Sequence, residues 1–200
     1  MCNPCIFAIL CGVTHIALGS PLKQLPQSDP SGDSIRPLLR GAEFEQFNTL
    51  VAMGEKVFPA FETILADEKT DPLSIARILT VLRSMEGDRK RFVEPSVVRL
   101  ADRKPTVRWS AVMLLAQIGG PSDIAPIVAL LADDDPTVVF QAAVALKSIG
   151  NYRTVSAMDV WLNSGNRRDV KQLIQHVAKC RDELKQRLDK EKEKAKKPKS

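Results

Sequence analysis

Hydrophobic positions in the middle of the chain recur at steps of three and four residues, and the same pattern occurs twice. A shift of 31 positions moves residues 93–119 onto residues 124–150 and keeps proline, leucine and glycine in register. The matched pairs include Pro95 with Pro126, Leu100 with Leu131, Pro105 with Pro136, Leu115 with Leu146 and Gly119 with Gly150. Such steps follow one face of an α-helix, and a period of about 20–50 residues indicates stacked units, so the pattern predicts a helical repeat.

Each copy of the repeat predicts two helices that are separated by a proline. The predicted helices are Phe92–Ala101 and Thr106–Ile118 in the first copy, and Ser122–Ala132 and Thr137–Ile149 in the second. Proline lacks an N–H group and disfavours helix in the residue before it, so Pro105 and Pro136 each end one helix and begin the next. Gly119 and Gly150 follow the second helices, and glycine at that position predicts a left-handed cap.

Less regular helical patterns flank these two copies. The predicted flanking helices are 35–53, 55–66, 73–85, 152–162 and a last helix that begins near Arg168. End repeats are expected to be irregular, because only one of their sides meets a neighbouring repeat. Alanines recur on the helix faces, and their small side chains allow neighbouring helices to approach each other closely. The sequence therefore predicts an all-α fold.

The second copy resembles the HEAT repeat, in the short form of the PBS-lyase-like proteins. Residues 135–150 follow the motif Asp-Pro-x-Val-Arg-x-x-Ala-x-x-Ala-Leu-x-x-Ile-Gly, with Val139 at the arginine position; the first copy keeps this arginine as Arg108 but has Lys104 at the aspartate position. The resemblance implies a short right-handed α-α solenoid of about four HEAT-like helix pairs, flanked by disordered tails. It also implies that second helices line the concave face, and that Arg108 bonds Asp135 or Asp71 in a ladder between repeats.

The two ends of the chain differ from the repeats. Residues 1–19 carry no Lys, Arg, Asp or Glu and are mostly apolar, which is typical of a signal peptide, although no basic residues precede the apolar run; the alternative is an N-terminal apolar helix of the domain. Residues 20–34 are rich in Pro, Ser, Gly and Asp and predict a flexible linker. The repeat domain is assigned to residues 35–184, and a charged, Lys-rich, disordered tail to residues 185–200.

The expected location of the protein depends on whether the apolar segment 1–19, called the leader below, is cleaved. Cleavage near Gly19 predicts export to the periplasm or the extracellular space, whereas a retained leader predicts a cytoplasmic protein. We expect contact with a membrane only if the apolar segment is retained.

The net charge of +5 is confined to the C-terminal tail. Residues 185–200 hold eight basic and three acidic side chains, so the 29 Lys/Arg and 24 Asp/Glu of the whole chain leave 21 of each in residues 1–184. A nucleic-acid-binding domain normally carries clustered basic residues on one face, and this domain is neutral. The tail is interpreted as a solvated end, with nucleic-acid binding through it as the less favoured alternative.

Residues with metal-binding or catalytic chemistry are few. Cys2 and Cys5 have the spacing of half a zinc site, but no second pair of ligands accompanies them. His15 lies in the leader, and His176 has no recognisable nucleophile motif beside it. The three aspartates 133–135 suggest calcium, but their place before Pro136 fits a turn and helix cap better. We therefore predict no enzyme activity, no cofactor and no metal.

The favoured hypothesis is a non-enzymatic HEAT-repeat scaffold that binds a protein partner through its second helices. Trp109 and Phe140 occupy matching positions of successive copies and could form a stacked aromatic seam. Most such pairs serve packing, but an edge exposed on the concave face would be the first candidate for a partner contact. The other candidate contact residues are Arg77, Arg83, Arg108, Gln141, Lys147, Lys171, Gln172 and Gln175. The alternative from the resemblance is an enzyme or enzyme subunit, since PBS-lyase-like HEAT proteins include bilin lyases and some HEAT-like proteins are DNA glycosylases.

Overall fold

The structure, a computed structural model, describes residues 31–40, 44–164 and 171–196, and all regular secondary structure in these ranges is helical. The helices are α1 (Gly32–Arg40), α2 (Phe44–Ala52), α3 (Phe58–Ala66), α4 (Pro72–Ser84), α5 (Val93–Arg99), α6 (Pro105–Ile118), α7 (Ile124–Ala129), α8 (Pro136–Ile149), α9 (Tyr152–Asn163) and α10 (Lys171–Lys196). The predicted all-α fold is thus confirmed.

The helices stack as consecutive pairs in two rows. α3, α5, α7 and α9 are the first helices of four pairs, and each packs against the second helix of its own pair. The second helices α4, α6, α8 and α10 pack each against the next. α1 packs against α2, α3 and α4 and covers the first pair. This arrangement is an α-solenoid in which each pair meets mainly its neighbours.

The hydrophobic core runs along the interior between the two rows. On α6, the side chains of Val107, Ala111, Leu114 and Leu115 are fully buried. Alanines at matching places of α8, including Ala142, are also fully buried, which allows the close helix contacts expected from the sequence. Burial of each leucine contributes about 1.5–3 kcal/mol, so the stack of second helices holds much of the stability.

The second helices α4, α6 and α8 begin and end close to their predicted bounds, because proline starts each of them and glycine follows each end within three residues. The first helices are less regular than predicted. The segment 121–132 is a 3₁₀ turn, the short α7 and a second 3₁₀ turn instead of one continuous helix. The predicted helix 35–53 is two helices, α1 and α2, and α1 begins at Gly32, inside the segment predicted as a linker.

The prediction of a disordered tail from Lys185 onward is wrong for residues 185–196, because α10 continues to Lys196. Leu184 and Leu188 are buried, and Arg187 Nη2 donates a 2.7 Å hydrogen bond to the Gly150 carbonyl. These contacts fix the helix about one turn beyond the predicted end of the domain, at residue 184.

The left-handed caps predicted at Gly119 and Gly150 are also wrong. Their φ angles are −71° and −67°, with ψ at 168° for both, which is an extended conformation. Glycine stands at these positions because a Cβ would approach another atom too closely: at Gly119 it would lie 2.6 Å from the Leu115 carbonyl oxygen. At Gly150 it would clash with the Leu146 carbonyl and lie 2.9 Å from Leu184 Cδ2.

Several predictions fall on residues that the structure does not describe. These are the leader 1–19, the linker up to residue 30 and the start of the last helix near Arg168. Within the described ranges, no helix combines the length and apolar character needed to cross a membrane.

Candidate functional site

The second helices α4, α6 and α8 present a regular patch of partly exposed side chains. Residues at steps of four and three positions share one helix face, and on each of these helices one such face is incompletely covered. The nine residues are Ala76, Thr80 and Arg83 on α4, Trp109, Met113 and Ala116 on α6, and Phe140, Val144 and Lys147 on α8. We call these nine residues the second-helix surface.

The centre of the second-helix surface is apolar and includes two aromatic rings. Trp109 is partly buried, and Phe140 is 38% exposed although it lies in the middle of an ordered helix. Met113 and Val144 lie one turn further along the same faces and are also partly exposed. An apolar patch with large side chains on well-ordered helices is the composition that protein interfaces favour at their cores.

The aromatic seam considered for Trp109 and Phe140 is absent among the described residues. Phe140 instead stacks on His176 of α10, with ring centroids 3.5 Å apart and planes inclined by 16°. His176 Nε2 lies 3.4 Å from Cys180 Sγ, one helical turn further on. The aromatic contact thus joins α8 to α10 and extends the second-helix surface toward the last helix.

The pKa values of both His176 and Cys180 are shifted in the direction that favours their neutral forms. Burial lowers the pKa of His176, and the nearby Lys147 and Lys179 add to this effect. Burial likewise raises the pKa of the Cys180 thiol above its ordinary value. A reactive cysteine needs a lowered pKa and an accessible sulfur, so this geometry suits packing rather than nucleophilic chemistry. The four-residue spacing of His176 and Cys180 on a helix was the sequence signal for this pair, and the sequence analysis missed it.

Arg108 binds Asp133, so the predicted pairing with Asp135 or Asp71 is wrong. Its Nε and Nη2 donate hydrogen bonds of 2.7 and 2.6 Å to the two carboxylate oxygens of Asp133, and its Nη1 donates to the Asp102 carbonyl at 2.9 Å. Asp135 caps α8 instead, accepting from the Thr137 and Val138 N–H groups at 2.8 and 3.3 Å. The arginine therefore joins α6 to the turn before α8 and lies outside the second-helix surface.

The other candidate residues divide between the second-helix surface and its borders. Lys147 pairs with Glu183 of α10 at 3.1 Å, while the Arg83 guanidinium has no ion-pair partner among the described residues. Arg77 and Gln141 are partly buried beside the surface, and one nitrogen of Arg77 is buried without a hydrogen-bond partner in the described ranges. Lys171, Gln172 and Gln175 are exposed on α10.

Acidic, histidine and cysteine side chains do not gather at a metal-binding site in the part of the chain that the structure describes. In the aspartate segment 133–135, Asp133 and Asp135 have the structural roles given above. Cys2, Cys5, Cys11 and His15 lie outside the described residues.

A family model described as HEAT repeats matches residues 93–179, from the start of α5 into α10. No curated protein matches the chain significantly.

Proposed function

We propose that this chain, whose residues 93–179 match the family of HEAT repeats, is a non-enzymatic scaffold that binds a protein partner through the second-helix surface. HEAT repeats in general mediate protein–protein interaction. Their stacked units form an extended surface rather than an enclosed pocket, which suits a partner larger than a metabolite.

One observation carries the proposal: Trp109 and Phe140 are incompletely buried on adjacent, well-packed helices. Each ring exposes apolar area to water, and its coverage by a partner gains about 25 cal/mol per Å². Aromatic side chains in such positions commonly contribute a large share of binding energy. Their placement near the middle of the second-helix row gives a partner room on both sides.

The state of the His176–Cys180 pair supports the non-enzymatic part of the proposal. A nucleophilic cysteine works as a thiolate, and burial opposes the thiolate at Cys180. The imidazole of His176 is occupied by its stack on Phe140 and its contact with the sulfur. The pair therefore holds α8 and α10 together and offers no obvious site for a reaction.

A crosslinking experiment with the full-length protein in its own host tests the proposal. The test variant replaces both aromatic residues, Trp109→Ala with Phe140→Ser. The matched control replaces two exposed valines of the first helices, Val98→Ser with Val160→Ser, which are 66% and 70% exposed. We expect specific protein partners with the wild type and the control, and a loss of at least about tenfold with the test variant, equivalent to about 1.4 kcal/mol.

Two results would overturn the scaffold proposal. One is a set of captured proteins that is the same for the wild type and a folded test variant. The other is turnover in a bilin-transfer or DNA-glycosylase assay with the purified protein, which would favour the enzyme alternative. Thermal unfolding of both variants shows whether the test variant is folded.

A further inference from the structure

The second helices α4, α6 and α8 carry positively charged side chains and no negatively charged ones. The sequences of α4, α6 and α8 contain no Asp or Glu, but they contain Arg77, Arg83, Arg108 and Lys147. Arg108 is neutralised by Asp133, and Lys147 by Glu183. The side chains of Arg77 and Arg83 have no acidic partner in the described ranges. The uncompensated charge therefore lies on α4, at one edge of the second-helix surface.

This charge is next to the apolar centre rather than on a separate face. Arg83 follows Ala76 and Thr80 on the same helix face, and α4 packs directly against α6, which carries Trp109. At the opposite edge, Glu183 of α10 lies between Lys147 and Lys179, at 3.1 and 3.9 Å from their ammonium groups. The surface is thus apolar in its middle, positive at α4 and mixed in charge at α10.

We propose that the segment bound here is an amphipathic helix of another protein, with an apolar stripe over Trp109 and Phe140 and carboxylates beside Arg83. The proposal rests on the proposed function and specifies the chemistry of the partner. Neighbouring helices are about 8–10 Å apart, so the faces of α4, α6 and α8 together span roughly 20–30 Å. A helix of about 14 residues is ~21 Å long and fits this span.

The same charge pattern fits a protein segment better than a lipid surface or a nucleic acid. Recognition of anionic lipids typically uses clusters of about 4–8 basic residues, and nucleic-acid binding uses several phosphate contacts. The second-helix surface and its border offer two uncompensated arginines. One or two carboxylates at the end of an apolar helix match that number.

Two fluorescently labelled synthetic peptides test the proposal with the full-length protein. Both are about 14 residues long with one leucine stripe, and their polar positions are glutamate in one peptide and lysine in the other. Protein variants are Arg83→Glu and, as a charge-matched control, Arg153→Glu. Arg153 is exposed on α9 and has no side-chain partner among the described residues. Fluorescence anisotropy is recorded at about 50 and about 500 mM NaCl, because the higher concentration screens surface charges.

We expect the glutamate peptide to bind at least about tenfold more tightly than the lysine peptide at low salt, with a smaller difference at high salt. Arg83→Glu is expected to weaken the binding of the glutamate peptide about fivefold or more, whereas Arg153→Glu should weaken it less than about twofold. Trp109→Ala is expected to weaken the binding of both peptides. Since Arg83 is only partly buried, the variant should fold, and circular dichroism verifies this.

Equal binding of the two peptides, an equal effect of the two charge reversals, or no binding of the glutamate peptide would overturn the inference. Sedimentation with vesicles of phosphatidylcholine and phosphatidylserine that requires Arg83 would also overturn it, in favour of a membrane. The scaffold proposal is tested by a different experiment, which compares the cellular proteins crosslinked to the wild type with those crosslinked to the Trp109/Phe140 variant. Its result does not depend on the peptide measurements. If that capture is lost while the peptides bind equally, the scaffold stands and the acidic helix does not.

Discussion

A single side chain, Arg108, fixes how two successive repeats meet. Its guanidinium bonds both oxygens of Asp133 in the next turn and a backbone carbonyl in its own turn. The pair is largely shielded from water, with side-chain exposures of 14% for Arg108 and 6% for Asp133. Bidentate pairs of this kind have fixed geometry as well as strength. The turn before α8 is therefore held at a defined position relative to α6.

Arg108→Ala should lower the free energy of unfolding by about 2–3 kcal/mol, because it leaves the shielded Asp133 carboxylate without its partner. Arg153→Ala, which removes an exposed arginine, is the control and should cost less than about 0.5 kcal/mol. Urea denaturation followed by circular dichroism measures both values. Equal losses in the two variants would contradict a structural role for the pair.

His176 should make the stability of the protein depend on pH. Burial lowers the pKa of His176 in the folded chain, so the unfolded chain binds the proton more tightly. The stabilisation is therefore present above about pH 6.5, the ordinary histidine value, and is lost as the pH falls below it toward the lowered folded pKa. Differential scanning fluorimetry from pH 8 to pH 5 should show a falling Tm, and His176→Gln should lessen that fall. An identical pH profile in the variant would refute this prediction.

Among the structural elements, the junctions between pairs are the most sterically restricted. Gly119 and Gly150 follow α6 and α8 in the same extended conformation, and a side chain at either would meet the carbonyl four residues earlier. Gly150 also accepts the hydrogen bond from Arg187, so α8, α9 and α10 meet at this residue. Close packing at these junctions allows each pair to stack directly on the one before.

Gly150→Ala should lower the free energy of unfolding by about 2 kcal/mol or more, because the added Cβ forces α8 and α10 to shift. Gly120→Ala is the matched control: its nearest neighbour would be Asp123 Oδ2 at 3.9 Å, so little change is expected. Thermal and urea unfolding of the two variants test this difference. A Gly150→Ala protein as stable as the Gly120→Ala protein would show that the junction relaxes without cost.

The sequence predicts the helices well where local chemistry sets their ends, and less well where tertiary contacts do. The second helices α6 and α8 start within one residue of their predicted bounds because Pro105 and Pro136 mark them. The left-handed caps at Gly119 and Gly150 are wrong because the motif gives the residue type but not the backbone angles. At Gly150 it also gives no sign of the crowding by Leu184, which is distant in sequence. The pairing of Arg108 with Asp133 spans 25 positions and likewise depends on how the repeats stack.

For the candidate site, the sequence placed Trp109 and Phe140 on second helices correctly, since the 31-residue shift superposes them. It did not predict that Phe140 would stack on His176, because α10 does not follow the repeat motif. The incomplete coverage of the second-helix surface also depends on side chains from three helices. Such exposure becomes visible only when the helices are packed.

In the whole molecule, α10 is the last helix described and is longer than any other described helix. Its continuation past Leu184 buries Leu188 and places Asp189 2.9 Å from the Tyr152 hydroxyl. The charged sequence from residue 185 thus contributes to the last repeat instead of only solvating the end. The extension therefore adds contacts within the pair α9–α10 and to the end of α8.

Truncation after Leu184 should therefore destabilise the protein by about 3 kcal/mol, from lost burial of Leu188 and lost hydrogen bonds. Truncation after Glu191 keeps these contacts and should change stability by less than about 0.5 kcal/mol, because residues 192–196 are exposed. Urea denaturation of the two shortened proteins tests the difference. Similar stability of both would mean that the last turns of α10 contribute nothing to the fold.

The repeat of 31 residues gives the chain a modular way to grow. The unit of residues 120–150 lies between two extended glycines, Gly119 and Gly150, so another copy of it inserted after Gly150 would meet a similar neighbour on both sides. Such a duplication would lengthen the second-helix row by one spacing of about 8–10 Å and leave its register unchanged. If the second-helix surface binds a partner helix as proposed, the length of partner helix that it accommodates would change in steps of one helix spacing. Such a change requires a gene duplication and no redesign of a binding pocket.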